Sequence, residues 1–152
     1  MMGSAEILST LEINHILSDM KEFKGTFPAD RVLVENKNSC QAFIVNIDTY
    51  DKSGSHWTAL LIEDGKCLFF DPLGLECMNI DLLNQLKALG FISYTFNRKQ
   101  IQPIKNNNCG YYCIAFIVYM LKKKNFTSFL SYFDENSDAN NEICYEIILK
   151  YI

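Results

Sequence analysis

The spacing of apolar residues changes along the chain, and each change marks an element. Ile7, Leu8, Leu11, Ile16, Leu17 and Met20 recur at helical spacing behind Ser4, which predicts an N-terminal helix capped there. Residues 21–39 carry no period and read as polar, irregular chain. Gln41 to Asp48 is a nearly continuous apolar run rich in β-branched residues, the pattern of a central strand. Asp51 to Ser55 is a loop. His56–Glu63 and Lys66–Phe70 read as strands joined by Asp64-Gly65, a strong hairpin signal. Pro72 and Gly74 end the hairpin. Leu82, Leu83, Leu86 and Leu89 form one helical face between Asn79 and Gly90. Phe91 to Phe96 reads as a strand, and Gln100 to Pro103 as a short one that Pro103 confines to an edge. Asn106 to Asn108 is a turn. Cys109 to Leu121 is almost wholly apolar and predicts a buried helix. Short amphipathic helices near Phe126–Tyr132 and Asn141–Tyr151 follow. The expected architecture is α+β, a mixed and mainly antiparallel sheet flanked by helices.

Composition narrows the class. The 152 residues suit one domain, 1–152, and 49% hydrophobic against 21% charged residues excludes a disordered or low-complexity chain. Fourteen Lys and Arg against 18 Asp and Glu give a net charge of -4, which does not point to a general nucleic-acid binder. No apolar run is long enough to span a membrane. The start has neither a basic stretch leading into an apolar one nor a myristoylation signal. The chain therefore reads as soluble and intracellular, where disulfides among its six Cys are not expected. The Cys lack metal-ligand spacing and both His lie far from Cys109 and Cys113, so no metal is expected.

The candidate chemistry starts at His56. His15, the other of the two His, sits on the polar side of the first helix and reads as solvated. His56 opens a strand after a Gly-Ser loop and before the one Trp, Trp57. It is either an ordinary strand-end residue or a catalytic one. With Asp64-Gly65 as a two-residue turn, paired positions add to 129, so Thr58 faces Asp71. His56 and Asp71 then share a sheet face as diagonal neighbours, about 7–8 Å apart at the backbone. A carboxylate there can accept the imidazole N–H and stabilise the imidazolium, although Asp71 before Pro72 also reads as a turn residue. Glu63 points to the other face.

Cys109 follows three Asn, precedes Gly110 and opens the apolar helix. A helix N-terminus presents unpaired N–H groups and the positive end of the helix dipole, both of which favour a thiolate. Gly110 would let a substrate backbone approach closely. Cys113, one turn on, reads as core. A Cys opening a helix with a His on a distant strand fits Cys–His nucleophilic catalysis. Gln102, seven residues before Cys109, carries an amide that can donate to an oxyanion. Gln100 is its rival.

These residues match a known pattern. Gly54-Ser-His-Trp-Thr-Ala-Leu-Leu-Ile62, then Cys67-Leu-Phe-Phe-Asp-Pro-Leu-Gly74, then Ile101-Gln102 and Asn108-Cys109-Gly-Tyr-Tyr-Cys113 resemble the adenovirus maturation protease family, adenain. Proteases of Polinton/Maverick elements and virophages are similar. The resemblance covers roughly residues 2 to 121. It implies the papain-like, adenain-like cysteine protease fold, with the nucleophile at the N-terminus of a buried helix. It implies a triad on His56, Asp71 and Cys109, with Gln102 in the oxyanion hole and Trp57 and Gly110 against the substrate.

The chain also departs from that pattern. Adenain carries Glu where this chain has Asp71, as SUMO-deconjugating proteases do. Adenain is activated by a viral peptide disulfide-bonded just ahead of the Gln segment, and the corresponding stretch, about residues 90 to 96, holds no Cys. Adenain also uses DNA as a cofactor. Arg98, Lys99, Lys105 and Lys122 to Lys124 are the cations here that such a contact would use. The expected function is a monomeric endopeptidase that cuts viral capsid and core precursors after small residues, in the virion and the infected cell. The alternatives are a deconjugating protease for a ubiquitin-like modifier, an inactive peptide-binding relative and, more distantly, an acyltransferase of related fold.

Overall fold

The computed structural model describes residues 8–47, 56–103 and 107–152. Its sheet is built around β2 (Gln41–Asn46), the continuous apolar run, flanked by β3 (Trp57–Glu63). Asp64 and Gly65 connect β3 to β4 (Lys66–Phe70) with φ of 51° and 75°. Positive φ at both central residues is what a type I′ hairpin turn demands. Glu63 pairs with Lys66 and Ala59 with Phe70, the expected register.

Two further strands complete the order β1-β2-β3-β4-β5. β1 (Phe23–Pro28) lies in the stretch expected to be irregular. It pairs in parallel with β2, its register broken between Phe23 and Gly25. Lys24 is exposed and Gly25, Thr26 and Phe27 are all half-buried, so burial does not alternate, and Pro28 is tolerated because this is an edge. β5 is Thr95–Phe96 alone, parallel to β4, in place of the expected strand over residues 91–96. Phe91 is buried in the core but Ile92 and Ser93 are both exposed, so burial does not alternate along this stretch and pairing starts only at Thr95. Gln100 to Pro103 is not a strand either. The two central pairings are antiparallel and the two outer ones parallel, so the sheet is mixed, as expected, with its antiparallel part at the centre.

Helices cover both sheet faces, which explains why β2 is apolar at successive positions. On one face Phe43, Val45, Leu60, Ile62 and Phe69 meet Leu82 and Leu86 of α2 (Ile80–Ala88), capped by Asn79 and ended at Gly90. On the other, Ile44, Ala59, Leu61 and Phe70 pack on α3 (Cys109–Lys123). Phe70 stacks on Phe116 of α3 at 4.7 Å between ring centres. Losing a buried aromatic of this kind costs about 3–5 kcal/mol. α1 (Thr10–Ile16), α4 (Phe126–Ser131) and α5 (Asn140–Tyr151) complete that layer. The cap of α1 is Ser9 in a capping box with Glu12. The expected cap, Ser4, lies outside the described residues, as do Ile7, Asp48, the loop Asp51 to Ser55, Lys105 and Asn106. Ile13 rather than Leu11 is the buried anchor of α1, and His15 is exposed. No helix among the described residues is long and apolar enough to cross a membrane. All six cysteines are free thiols.

Candidate active site

β3 begins, β4 ends and α3 begins at the same end of the sheet. The backbone carbonyl of His56 accepts from Ile47 N at 2.9 Å, which anchors the residue beside the end of β2. Asp71 follows the last residue of β4. The diagonal placement read from the hairpin register is met: His56 Nε2 lies 2.7 Å from Asp71 Oδ1. The same oxygen accepts from Leu73 N at 2.8 Å, and Gly74 N donates to Asp71 O at 2.8 Å, so Asp71 both opens a turn and holds the imidazole. The two readings of Asp71 are compatible. Glu63 is turned away and pairs with Lys124 at 2.9 Å.

Burial of His56 disfavours its charge most. The hydrogen bonds to Asp71 and then Cys109, with their charges, outweigh that and push its pKa up to about 9. His56 is therefore an imidazolium at neutral pH. Asp71 engages Nε2, which leaves Nδ1 as the other ring nitrogen of His56.

Cys109 is the first residue of α3, and its Sγ accepts from the backbone N–H of Trp57 at 3.5 Å. Cys113, one turn on, donates its S–H to Trp57 O at 3.3 Å. The two sulfurs thus hold both backbone polar groups of Trp57, the first residue of β3. Burial pushes the Cys113 thiol well above its usual value, consistent with a core donor. Burial likewise leads the upward shifts of Cys40, Cys67, Cys77 and Cys144.

The substrate roles expected of Trp57 and Gly110 read differently in place. Trp57 is 4% exposed and its indole N–H donates to Leu8 O at 3.0 Å. A Cβ on Gly110 would meet Leu8 Cβ and Cδ1 at 3.2 Å and Trp57 Cδ1 at 3.3 Å. The close approach that Gly110 allows is therefore by the protein's own side chains, and Trp57 contributes its amide rather than an exposed ring face.

Gln102 is buried at 4% exposure, and its backbone N shares Pro72 O with Ile101 N, at 3.0 and 2.9 Å. The Gln segment is thus tied to the residue after Asp71. Gln100 is partly exposed and its amide donates to Gln102 O at 3.0 Å and Asn136 Oδ1 at 3.2 Å, which makes it a brace. Two buried residues that the pattern did not single out also act here. Asn97 bonds the backbone of Asp71 on both sides, and Asn140 donates to Ile101 O at 2.8 Å. Both stand in polar stretches of the sequence, Asn97 before Arg98 and Lys99 and Asn140 between Ala139 and Asn141, so nothing local marks either as buried. Of the expected basic patch, Lys99 is bonded to the carbonyls of Leu130 and Phe133, and Lys124, still exposed, is paired with Glu63.

A cysteine at a helix start, beside a largely buried His–Asp pair at a sheet end, is an arrangement suited to thiol nucleophilic chemistry, here on an α+β fold. The comparisons with known proteins point the same way. The chain is 29% identical to "Putative thiol protease R355" of Acanthamoeba polyphaga mimivirus over 159 aligned positions, covering 84% of this chain and 52% of that protein. It thus spans about half the length of this curated relative. Its fold is similar to the crystal structure of the Se-Met ASFV pS273R protease, with a TM-score of 0.64 and 13% identity, over 96% of this chain and 68% of that one. No protein-family profile matches the chain.

Proposed function

We propose that this chain carries a viral cysteine endopeptidase acting through Cys109, His56 and Asp71. The observation that carries it is the Cys109 sulfur at the head of α3, served by a His56 that Asp71 holds at 2.7 Å. The likeness to a mimiviral thiol protease supports the chemistry, and the likeness to the ASFV protease supports the scaffold. Cys109 Sγ attacks the scissile carbonyl carbon and its proton resides on His56. The C–N bond breaks as His56 passes that proton to the departing amine. Water, deprotonated by His56, then hydrolyses the thioester. Asp71 keeps the imidazole oriented and stabilises its charge. Gln102 donates its amide to the oxyanion. The substrates are viral precursor polypeptides of capsid and core, cut in the virion or the infected cell after small residues.

Cys109→Ala tests this directly. Turnover of precursor polypeptides should vanish while the fold survives. Iodoacetamide should alkylate Cys109 ahead of the other five Cys, whose thiols burial holds protonated. Near-normal activity in Cys109→Ala would remove the nucleophile from this reading.

A further inference from the structure

We propose that Asn97 is a positioning residue of this site: its buried carboxamide grips both backbone polar groups of Asp71 and thereby sets where the Asp71 carboxylate meets His56. This rests on the reading of Cys109, His56 and Asp71 as the reacting set. The β4–β5 ladder pairs Leu68 with Thr95 and Phe69 with Phe96, and the chain then turns away. The Asn97 side chain replaces the missing strand. Its Oδ1 accepts Asp71 N–H at 3.0 Å, and its Nδ2 donates to Asp71 O at 2.5 Å and Lys99 O at 3.1 Å. Asn97 is fully buried, so water does not take over these bonds.

The residue type is demanding. A carboxamide carries an acceptor and a donor on one short fork. Aspartate would set a carboxylate against two carbonyl oxygens, leucine would strip the Asn97 bonds from Asp71 N–H and Lys99 O and leave Asp71 O with Gly74 N alone, and glutamine is a methylene longer. The result is an Asp71 held at both ends: backbone by Asn97, carboxylate by Leu73 N and His56. The bond to Lys99 O also registers the segment leading to Gln102 with the acid. A displacement of about an ångström at a reacting group can cost about 10²-fold in rate.

The experiment uses Asn97→Leu and Asn97→Ala in the full chain, with kcat and KM on a peptide substrate, melting temperature, and NMR titration of both His. The exposed His15 is the internal reference. The groups facing His56 are Asp71 beyond β4 and Cys109 on α3. We expect kcat to fall roughly 30–100-fold with KM nearly unchanged. The His56 titration should drop from about 9 toward an ordinary imidazole value. Adding Asn97→Leu to Asp71→Asn should cost little more than Asp71→Asn alone, because both act on one hydrogen bond. Lower melting temperature with wild-type kcat in the folded fraction and an unmoved His56 titration would overturn the proposal. So would losses that multiply in the double variant, or failure of both single variants to fold. If the wild-type chain cleaves no peptide but the His56 titration still moves in Asn97→Leu, positioning stands and the peptidase reading falls.

Discussion

The site is held together in two different ways. His56 and Asp71 sit at the ends of β3 and β4, where ladder pairs run from Glu63–Lys66 to Ala59–Phe70 and continue across β3 into β2. Residues 97–102 have no ladder. They are located by Pro72 O, the carboxamides of Asn97 and Asn140, and the Gln100 brace. Repeated backbone bonds share the loss of any one side chain. Bonds made by a few side chains of defined length do not, so the loop half of the site should be the more sensitive to substitutions away from the reacting atoms.

The largest effects belong to the chemistry itself and set the scale. His56→Ala should lower kcat by about 10⁴, and Asp71→Asn by about 10². Steady-state cleavage of a peptide substrate measures both, and an unchanged rate in His56→Ala would take the hairpin out of the reaction. Next comes the pair in the loop. Gln102→Ala should cost about 10²–10³ in kcat with KM preserved. Gln100→Ala should cost about 1 kcal/mol of stability and only a few-fold in rate. Equal small losses would hand the oxyanion to backbone N–H groups near Cys109.

Two glycines test the two halves directly. Gly74 has φ of 76°, and a Cβ there would lie 2.8 Å from Gln100 N and Lys99 C, backbone that cannot step aside. Gly74→Ala should cost about 3 kcal/mol in denaturant unfolding. Gly65, at the hairpin turn with φ of 75°, meets nothing nearer than Asn38 Oδ1 at 3.9 Å, so Gly65→Ala should cost about 1 kcal/mol. Similar losses at both would erase the distinction.

Titration of His56 gives a pH signature. Its pKa is raised in the folded protein, so the stability it contributes is fully present below about 6.5, the unfolded value. That stability declines as pH rises to about 9 and is lost beyond it, at most a few kcal/mol in all. Melting curves across that window should flatten in Asp71→Asn, and a wild-type curve already flat there would contradict the pairing. Peptide cleavage should decline over the same rise, because the departing amine needs the imidazolium proton. The smallest effect is on the hairpin's far end. Glu63→Gln breaks a pair whose side chains are 34% and 50% exposed, and should cost under about 1 kcal/mol by thermal melting.

Local rules made the hairpin legible. A two-residue Asp-Gly turn sets the register, and period-two geometry then puts His56 and Asp71 on one face without any knowledge of the rest of the chain. Asn79 and Gly90 bounded α2 for a similar reason, since caps are read within a turn of where they act. Helical periodicity was weaker evidence in α1, where Ile13, not Leu11, faces the core. β1 and the shortness of β5 were not legible, because edge strands carry little alternation and their pairing depends on a partner elsewhere.

What the sequence determined by itself, then, was the hairpin, the buried helix opened by Cys109, and the residue types able to do thiol chemistry. Each follows from contacts a few positions apart. Tertiary structure alone decided that Trp57 N–H would reach the Cys109 sulfur across 52 positions and that Gly110 would be filled by Leu8 and Trp57. It also decided that Asn97 would clamp Asp71 across 26 positions. The physical reason is that a side-chain amide advertises its bonding capacity but not its partner. The partner is chosen when the chain packs, by whichever buried backbone group the rest of the fold has left to be met.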